Sequence, residues 1–263
     1  MKDKEKYIGI FDSGVGGLTV VKSLLDKLPN ENIVYLADSK HMPYGDKTND
    51  QIIKYVMDDV KFLNNYELKA ILIACNTADA VASSEVKQAY SIPVFGVIED
   101  TCKVAIKTTK NDRIGVIATS AAIKADEYHK QLLRFNPHIK VYSQACPFLV
   151  PLIEEGKFDI GNQEIRYILE DYLTPLLEND IDTLILGCTH YDLLSQIIKD
   201  MYPNLNLVSS SRCVIDNLSK QIERNDNTSN EQLYFVSSNK EKFKEVNNAF
   251  DILKDPLRYH RLS

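Results

Sequence analysis

Long apolar runs, closely paired cysteines and a surplus of positive charge are all missing from this chain. No run approaches the roughly 20 apolar residues that a membrane span needs, so no membrane partner is expected. Lys and Arg number 31 against 37 Asp and Glu, for a net charge of −6. Such a chain is poorly suited to neutralising phosphates, and no nucleic-acid partner is expected. The five cysteines (Cys75, Cys102, Cys146, Cys188 and Cys213) are an odd number and form no C-x-x-C pair. That excludes the usual zinc-cluster and thioredoxin spacings and argues against a disulfide framework. No metal site is expected. The charged stretch 1–6 runs directly into strand-like Tyr7. It leaves no room for a signal peptide, and a cytoplasmic location is expected.

What is present is ordinary for a globular protein: 263 residues, 44% hydrophobic and 26% charged. That length suits one large α/β domain or two medium ones. Apolar runs over 7–11, 33–37, 70–74, 94–97, 113–118, 140–144, 183–186, 206–208 and 232–236 read as strands. Helical patterns fall over 18–28, 49–65, from Cys75 to about Tyr90, 163–178 and 214–224, with Pro175 bending or ending its helix. The polar stretch 225–230 reads as a loop. Strands alternating with helices imply βαβ units and parallel sheets.

Two segments look like copies of one device: Ile71-Leu72-Ile73-Ala74-Cys75-Asn76-Thr77 and Leu184-Ile185-Leu186-Gly187-Cys188-Thr189-His190. Each is a buried parallel strand, a small residue, a cysteine and two hydrogen-bonding side chains. Both cysteines therefore stand at carboxyl strand ends, the edge where open α/β sheets bind ligands. A helix N-terminus beyond the cysteine lowers a thiol's pKa from about 8.5. His190 is placed to exchange protons with Cys188 or to keep it ionised, and Asp12 to accept a proton for Cys75 or to bind an ammonium group. Two thiols flanking one carbon solve a particular problem. Inverting a stereocentre by proton transfer needs a base on one face and an acid on the other. No pyridoxal signature is present, so the thiols would work without a cofactor. Cys102, Cys146 and Cys213 read as small buried hydrophobes.

Asp12-Ser13-Gly14-Val15-Gly16-Gly17 follows a strand and precedes a helix. Backbone amides there could meet an anion. Thr19 stands where a dinucleotide fingerprint needs its third glycine, and no Gly-Lys-Ser/Thr follows. The alternatives are a small polar ligand or a plain tight turn needing positive φ.

These motifs carry a resemblance. The opening over 8–20, Pro43-Tyr44-Gly45, Ala74-Cys75-Asn76-Thr77-Ala78 and Gly96-Val97-Ile98-Glu99 are similar to the cofactor-independent glutamate racemases. So are the stretches over 145–147 and 150–156 and Leu186-Gly187-Cys188-Thr189-His190-Tyr191, all in the family's order. The resemblance implies an α/β fold of two pseudo-symmetric domains, each with a mostly parallel sheet flanked by helices, and glutamate bound in the cleft between them. The expected division is 1–97 plus 210–263, carrying Cys75, and 98–209, carrying Cys188. It implies that Cys75 takes the α-proton of the D-enantiomer and Cys188 that of the L-enantiomer. Asp12, His190 and Glu154 would assist them. Asp12, Ser13, Pro43, Tyr44, Gly45, Asn76, Thr77, Thr119, Thr189 and His190 would bind substrate. The product D-glutamate would feed peptidoglycan synthesis.

Several positions depart from the family pattern. Asp79 replaces a serine, Asp100 a proline, Ala122 a threonine and Asp192 a proline, and the loop 39–42 also differs. These departures keep open a racemase for another amino acid, such as aspartate, or a catalytically silent amino-acid-binding relative. A nucleotide-binding module lacks its phosphate motif. No stretch marks an oligomer interface, and a homodimer is admissible because symmetric dimers are common.

Overall fold

The protein is described from a computed structural model over residues 6–156, 159–224, 230–238, 240–250 and 259–261. It opens with β1 (Tyr7–Asp12), α1 (Leu18–Lys27), β2 (Asn32–Ala37), α2 (Asn49–Leu63), β3 (Leu68–Ile73), α3 (Asn76–Ala89) and β4 (Val94–Gly96). After α4 (Val97–Thr108) the pattern starts again. It runs through β5 (Arg113–Ala118), α5 (Ser120–Ala125), α6 (Glu127–Phe135), β6 (Lys140–Ala145), α7 (Leu149–Glu154) and α8 (Gln163–Leu177). It closes with β7 (Thr183–Gly187), α9 (Ser195–Met201) and β8 (Asn206–Ser209). Then come α10 (Ser210–Gln221), β9 (Gln232–Val236), α11 (Lys240–Phe250) and β10 (Tyr259–Arg261).

The strands form two wholly parallel sheets, ordered β10-β9-β2-β1-β3-β4 and β6-β5-β7-β8. The order β2-β1-β3-β4 recurs as β6-β5-β7-β8. Cys75 follows β3 and Cys188 follows β7, so the two cysteines occupy corresponding places in the repeat. Parallel strands covered on both faces read as near-continuous apolar runs. Accordingly β2 and β7 are buried at every position.

Helices α4 and α10 pack on each other and reach β7 and β8. One apolar cluster runs from Ile8 and Ile10 through Cys102 and Ala105 to Ile114, Val116 and Ile185, so the sheets share a core. Each sheet buries its other face separately. Ile52, Val56 and Val60 of α2 cover Val34, Leu36 and Ile71. Leu169 and Leu173 of α8 cover Leu184 and Leu186.

Most expected elements appear within a few residues of their anticipated ends. Pro175 neither ends nor breaks α8, which continues to Leu177. It lies near the C-terminus, where one missing N–H costs little ladder. The strand expected over 94–97 stops at Gly96, because Val97 already begins α4. The Ile98 amide donates to Asp79 Oδ2 at 2.8 Å, a cap supplied from α3. The loop expected over 225–230 lies, except for its last residue, outside the described residues. Among the described residues no helix is long and apolar enough to cross a membrane.

Candidate active site

Cys75 is the N-cap residue of α3 and is only 5% exposed. Its Sγ lies 3.5 Å from Ser13 Oγ in the turn after β1. Burial pushes its thiol up to about 12, and the Asp12 carboxylate adds to the effect. This reverses the lowered pKa expected from the helix terminus. The thiol is buried beside an acid, and desolvation of a thiolate outweighs one helix dipole.

Asp12 is fully buried. Its Oδ2 accepts the amides of Gly14 and Gly17, each at 3.0 Å, and its Oδ1 accepts Thr189 Oγ1 at 3.5 Å. Burial raises its carboxyl to about 6, against the pull of His190 and these donors. The glycines of this turn are not there for positive φ; among the described glycines, only Gly156 has it. They allow close approach. A Cβ on Gly16 would stand 2.4 Å from Thr189 Oγ1 and 2.6 Å from His190 Nδ1. One on Gly17 would stand 2.4 Å from Asp12 Cβ.

Cys188, 7% exposed, caps a short 3-10 segment, Thr189–Leu194, rather than an α-helix. Its Sγ lies 3.8 Å from His190 Nδ1, and His190 Nε2 lies 2.7 Å from Glu154 Oε1. Burial works against a charged imidazole here. The bonds to Cys188 and Glu154 overcome it and hold His190 well above the usual histidine range. The two cysteines thus meet different partners, a serine and a buried acid on one side and a histidine–glutamate pair on the other. They are joined through Ser13, Asp12 and Thr189, and charge on Cys188 is felt at Cys75.

The remaining candidates border this axis. Thr77 Oγ1 and Thr119 Oγ1 lie 2.8 Å apart and join α3 to the N-cap of α5, across the two halves of the repeat. A Cβ on Gly45 would stand 2.9 Å from Thr119 Cβ. Asn76 is held by Ser210 Oγ at 3.1 Å and by the Tyr128 hydroxyl. Pro43, after a cis Met42–Pro43 bond, caps the 3-10 turn Tyr44–Asp46. The Tyr44 side chain is buried, with its hydroxyl 2.7 Å from Asp38 Oδ2 and 3.0 Å from Asp59 Oδ2. Burial and the neighbouring Asp38 hold the Asp59 carboxyl well above the usual range. That hydroxyl anchors its own loop. Asp38 and Asp59 carried no signal in the sequence, since each is a lone acid at an element whose role depends on a distant loop. Cys102, Cys146 and Cys213 are buried as expected. Among the described residues no group of three or more His, Cys, Asp and Glu side chains is disposed to hold a metal ion.

Residues 19–218 match the family model described as Asp/Glu/Hydantoin racemase. A glutamate racemase of Sulfurihydrogenibium sp. (strain YO3AOP1) is 41% identical over 251 residues, 95% of this chain and 93% of the relative. The crystal structure of a glutamate racemase isoform from Bacillus anthracis superposes with a TM-score of 0.90 at 35% identity, covering 99% of this chain and 98% of that one. The structure of glutamate racemase from Francisella tularensis in complex with D-glutamate gives a TM-score of 0.91 at 34% identity, covering 98% of each chain. By sequence along most of its length, and by the fold of its paired sheets, this chain belongs to the Asp/Glu/hydantoin racemase family.

Proposed function

We propose that this protein is an amino-acid racemase that interconverts L- and D-glutamate by proton transfer at the α-carbon, with Cys75 and Cys188 as the two acid–base groups. The observation that carries the reading is the recurrence of a buried cysteine after the third strand of each repeat, the pair linked through Ser13, Asp12 and Thr189. Cys75 acts on the D-enantiomer and Cys188 on the L-enantiomer. One sulfur leaves with the α-proton while the other delivers a proton to the opposite face.

The resting Cys75 thiol, raised to about 12, costs about 7 kcal/mol to ionise at pH 7. The counter-charge is the substrate's own ammonium group, arriving in a site where desolvation magnifies it. Asp12 receives that ammonium and stands as proton partner on the Cys75 side. On the other side, Glu154 orients His190 and stabilises its charge, and His190 presents a donor to Cys188. The developing negative charge on the substrate carboxylate calls for fixed donors. The free amides at the start of α3, at Asn76 and Thr77, are of that kind. The hydroxyls of Ser13, Thr77, Thr119 and Thr189, and the main chain of Pro43-Tyr44-Gly45, complete the binding surface.

Sheet membership supports the division into 1–97 plus 210–263 and 98–209, since β9 and β10 belong to the first sheet. The reaction so read draws on no cofactor. Its product supplies D-glutamate for peptidoglycan in the cytoplasm, and a homodimer is the proposed assembly.

Racemisation of L-glutamate in deuterium oxide tests the mechanism. With two monoprotic groups, the D-glutamate of the first turnovers carries deuterium while the remaining L-glutamate keeps its proton. Protonated product would indicate a single group acting on both faces. Cys75→Ala and Cys188→Ala should each lose about 1,000-fold or more. The loss in kcat/KM must be equal in both directions, because mirror images have an equilibrium constant of one. Retained turnover in either variant would defeat the assignment.

A further inference from the structure

Beside the Cys188 turn lies a cleft of about 420 Å³. It is bounded by α1, α10, the ends of β7 and β8, and the 3-10 segment with the start of α9. It is lined by polar groups of both signs: Lys22, Lys199 and Arg212 with Asp26 and Asp192. Hydroxyls fill the space between them, and two of these, Thr19 Oγ1 and Ser211 Oγ, lie 2.9 Å apart and tie α1 to α10. The volume is ample for one small metabolite.

Asp192 is the informative residue. Its Oδ1 is shut off from solvent and has no hydrogen-bond partner. A buried carboxylate oxygen left unpaired is costly, and such an exception calls for an explanation. Burial raises this carboxyl to about 6, opposed by the Ser211 and Ser209 hydroxyls and by the charge of Arg212. Lys199 is already engaged, its Nζ donating to the Leu205 carbonyl at 2.6 Å. Arg212 lies exposed on α10 and presents a planar fork suited to a carboxylate.

We infer that this cleft binds a free α-amino acid, its ammonium toward Asp192 and its carboxylate toward Arg212. A pocket of one sign would select an anion or a cation. A pocket with an acid whose Oδ1 lacks a hydrogen-bond partner, a guanidinium at its rim and hydroxyls between them matches a zwitterion. The site is separate from the racemising centre, but it shares the 3-10 segment that carries His190.

The test is calorimetric titration of the full-length protein with glycine, L-alanine, L-serine and L-lysine. Glutamate is left out of the titrations, because it carries the same ammonium and carboxylate groups and would compete for the cleft. At least one of the four binds wild-type protein once per chain, and its affinity falls at least tenfold in Asp192→Asn and in Arg212→Ala. If none of the four binds, or if binding survives either substitution, the inference is overturned. Should Asp192→Asn not fold, Arg212→Ala at its exposed position decides alone. Deuterium incorporation in the same preparations reports on racemisation independently, so failure of one assignment is distinguishable from failure of the other.

Discussion

His190 bridges Cys188 and Glu154, with Nδ1 3.8 Å from the sulfur and Nε2 2.7 Å from the carboxylate. The bond to Glu154 helps keep the imidazole protonated in a fully buried position. Glu154→Gln keeps the shape and removes the charge. We expect kcat/KM to fall by about 100-fold, equally for L- and D-glutamate. Without its anionic partner the imidazole gives up its proton at lower pH, so the defect deepens as pH rises from 6 to 8. Rates measured for both enantiomers across that range check the prediction, and a pH-independent defect would contradict it.

Cys75 offers a second check, on reactivity. An ordinary thiol titrates near 8.5, and its alkylation levels off above pH 9. A thiol raised to about 12 stays protonated there. Iodoacetamide should modify Cys75 slowly at pH 7. The rate should still be climbing about tenfold per pH unit between pH 8 and 9.5. Peptide mapping after timed alkylation, without substrate, gives the rates.

Asp79 makes a prediction about stability. Burial raises its carboxyl from 3.8 to about 6, against the Ile98 amide. The unfolded chain ionises this acid first as pH rises, so folding loses stability between about pH 4 and 6 and does not regain it above. The accumulated cost is about 3 kcal/mol. Asp79→Asn keeps an acceptor for the Ile98 amide and removes the charge. It should raise urea-unfolding stability at pH 7.5, with the gain shrinking as pH falls toward 4.

Gly16 tests the closeness of the two turns. A Cβ there would stand 2.6 Å from His190 Nδ1, so Gly16→Ala must displace the His190 turn or its own. A shift approaching 1 Å costs about 100-fold in rate. We expect that loss in kcat/KM with a folded protein by circular dichroism. Unchanged turnover would mean that the turns give way without consequence.

Much of this was legible in the sequence. The bounds expected for β5 and β9 match those found, and both cysteine motifs sit at the strand ends their apolar runs implied. Legibility fails where a distant group decides the outcome. Helix α4 begins at Val97 with a cap from Asp79, a dependence no local pattern encodes. Tyr44 looks like a ligand-facing turn residue, and only the fold brings Asp38 and Asp59 to its hydroxyl. The helix terminus predicts an acidic Cys75, whereas burial beside Asp12 has the opposite and larger effect. Glu154 meets His190 across 36 positions of chain, a pairing that neither spacing nor resemblance gives, since the resemblance marks Glu154 only as a further helper.

The recurrence of one strand order in both sheets relates the two flanks approximately by rotation. Enantiomers are related by reflection, and no rotation of a chain of L-residues reproduces a reflection. A planar carbanion with three different substituents cannot be turned over onto itself, so each half must greet a different arrangement of the same groups. Unlike companions for the two sulfurs are therefore a geometric necessity for any catalyst that serves both hands with a duplicated frame.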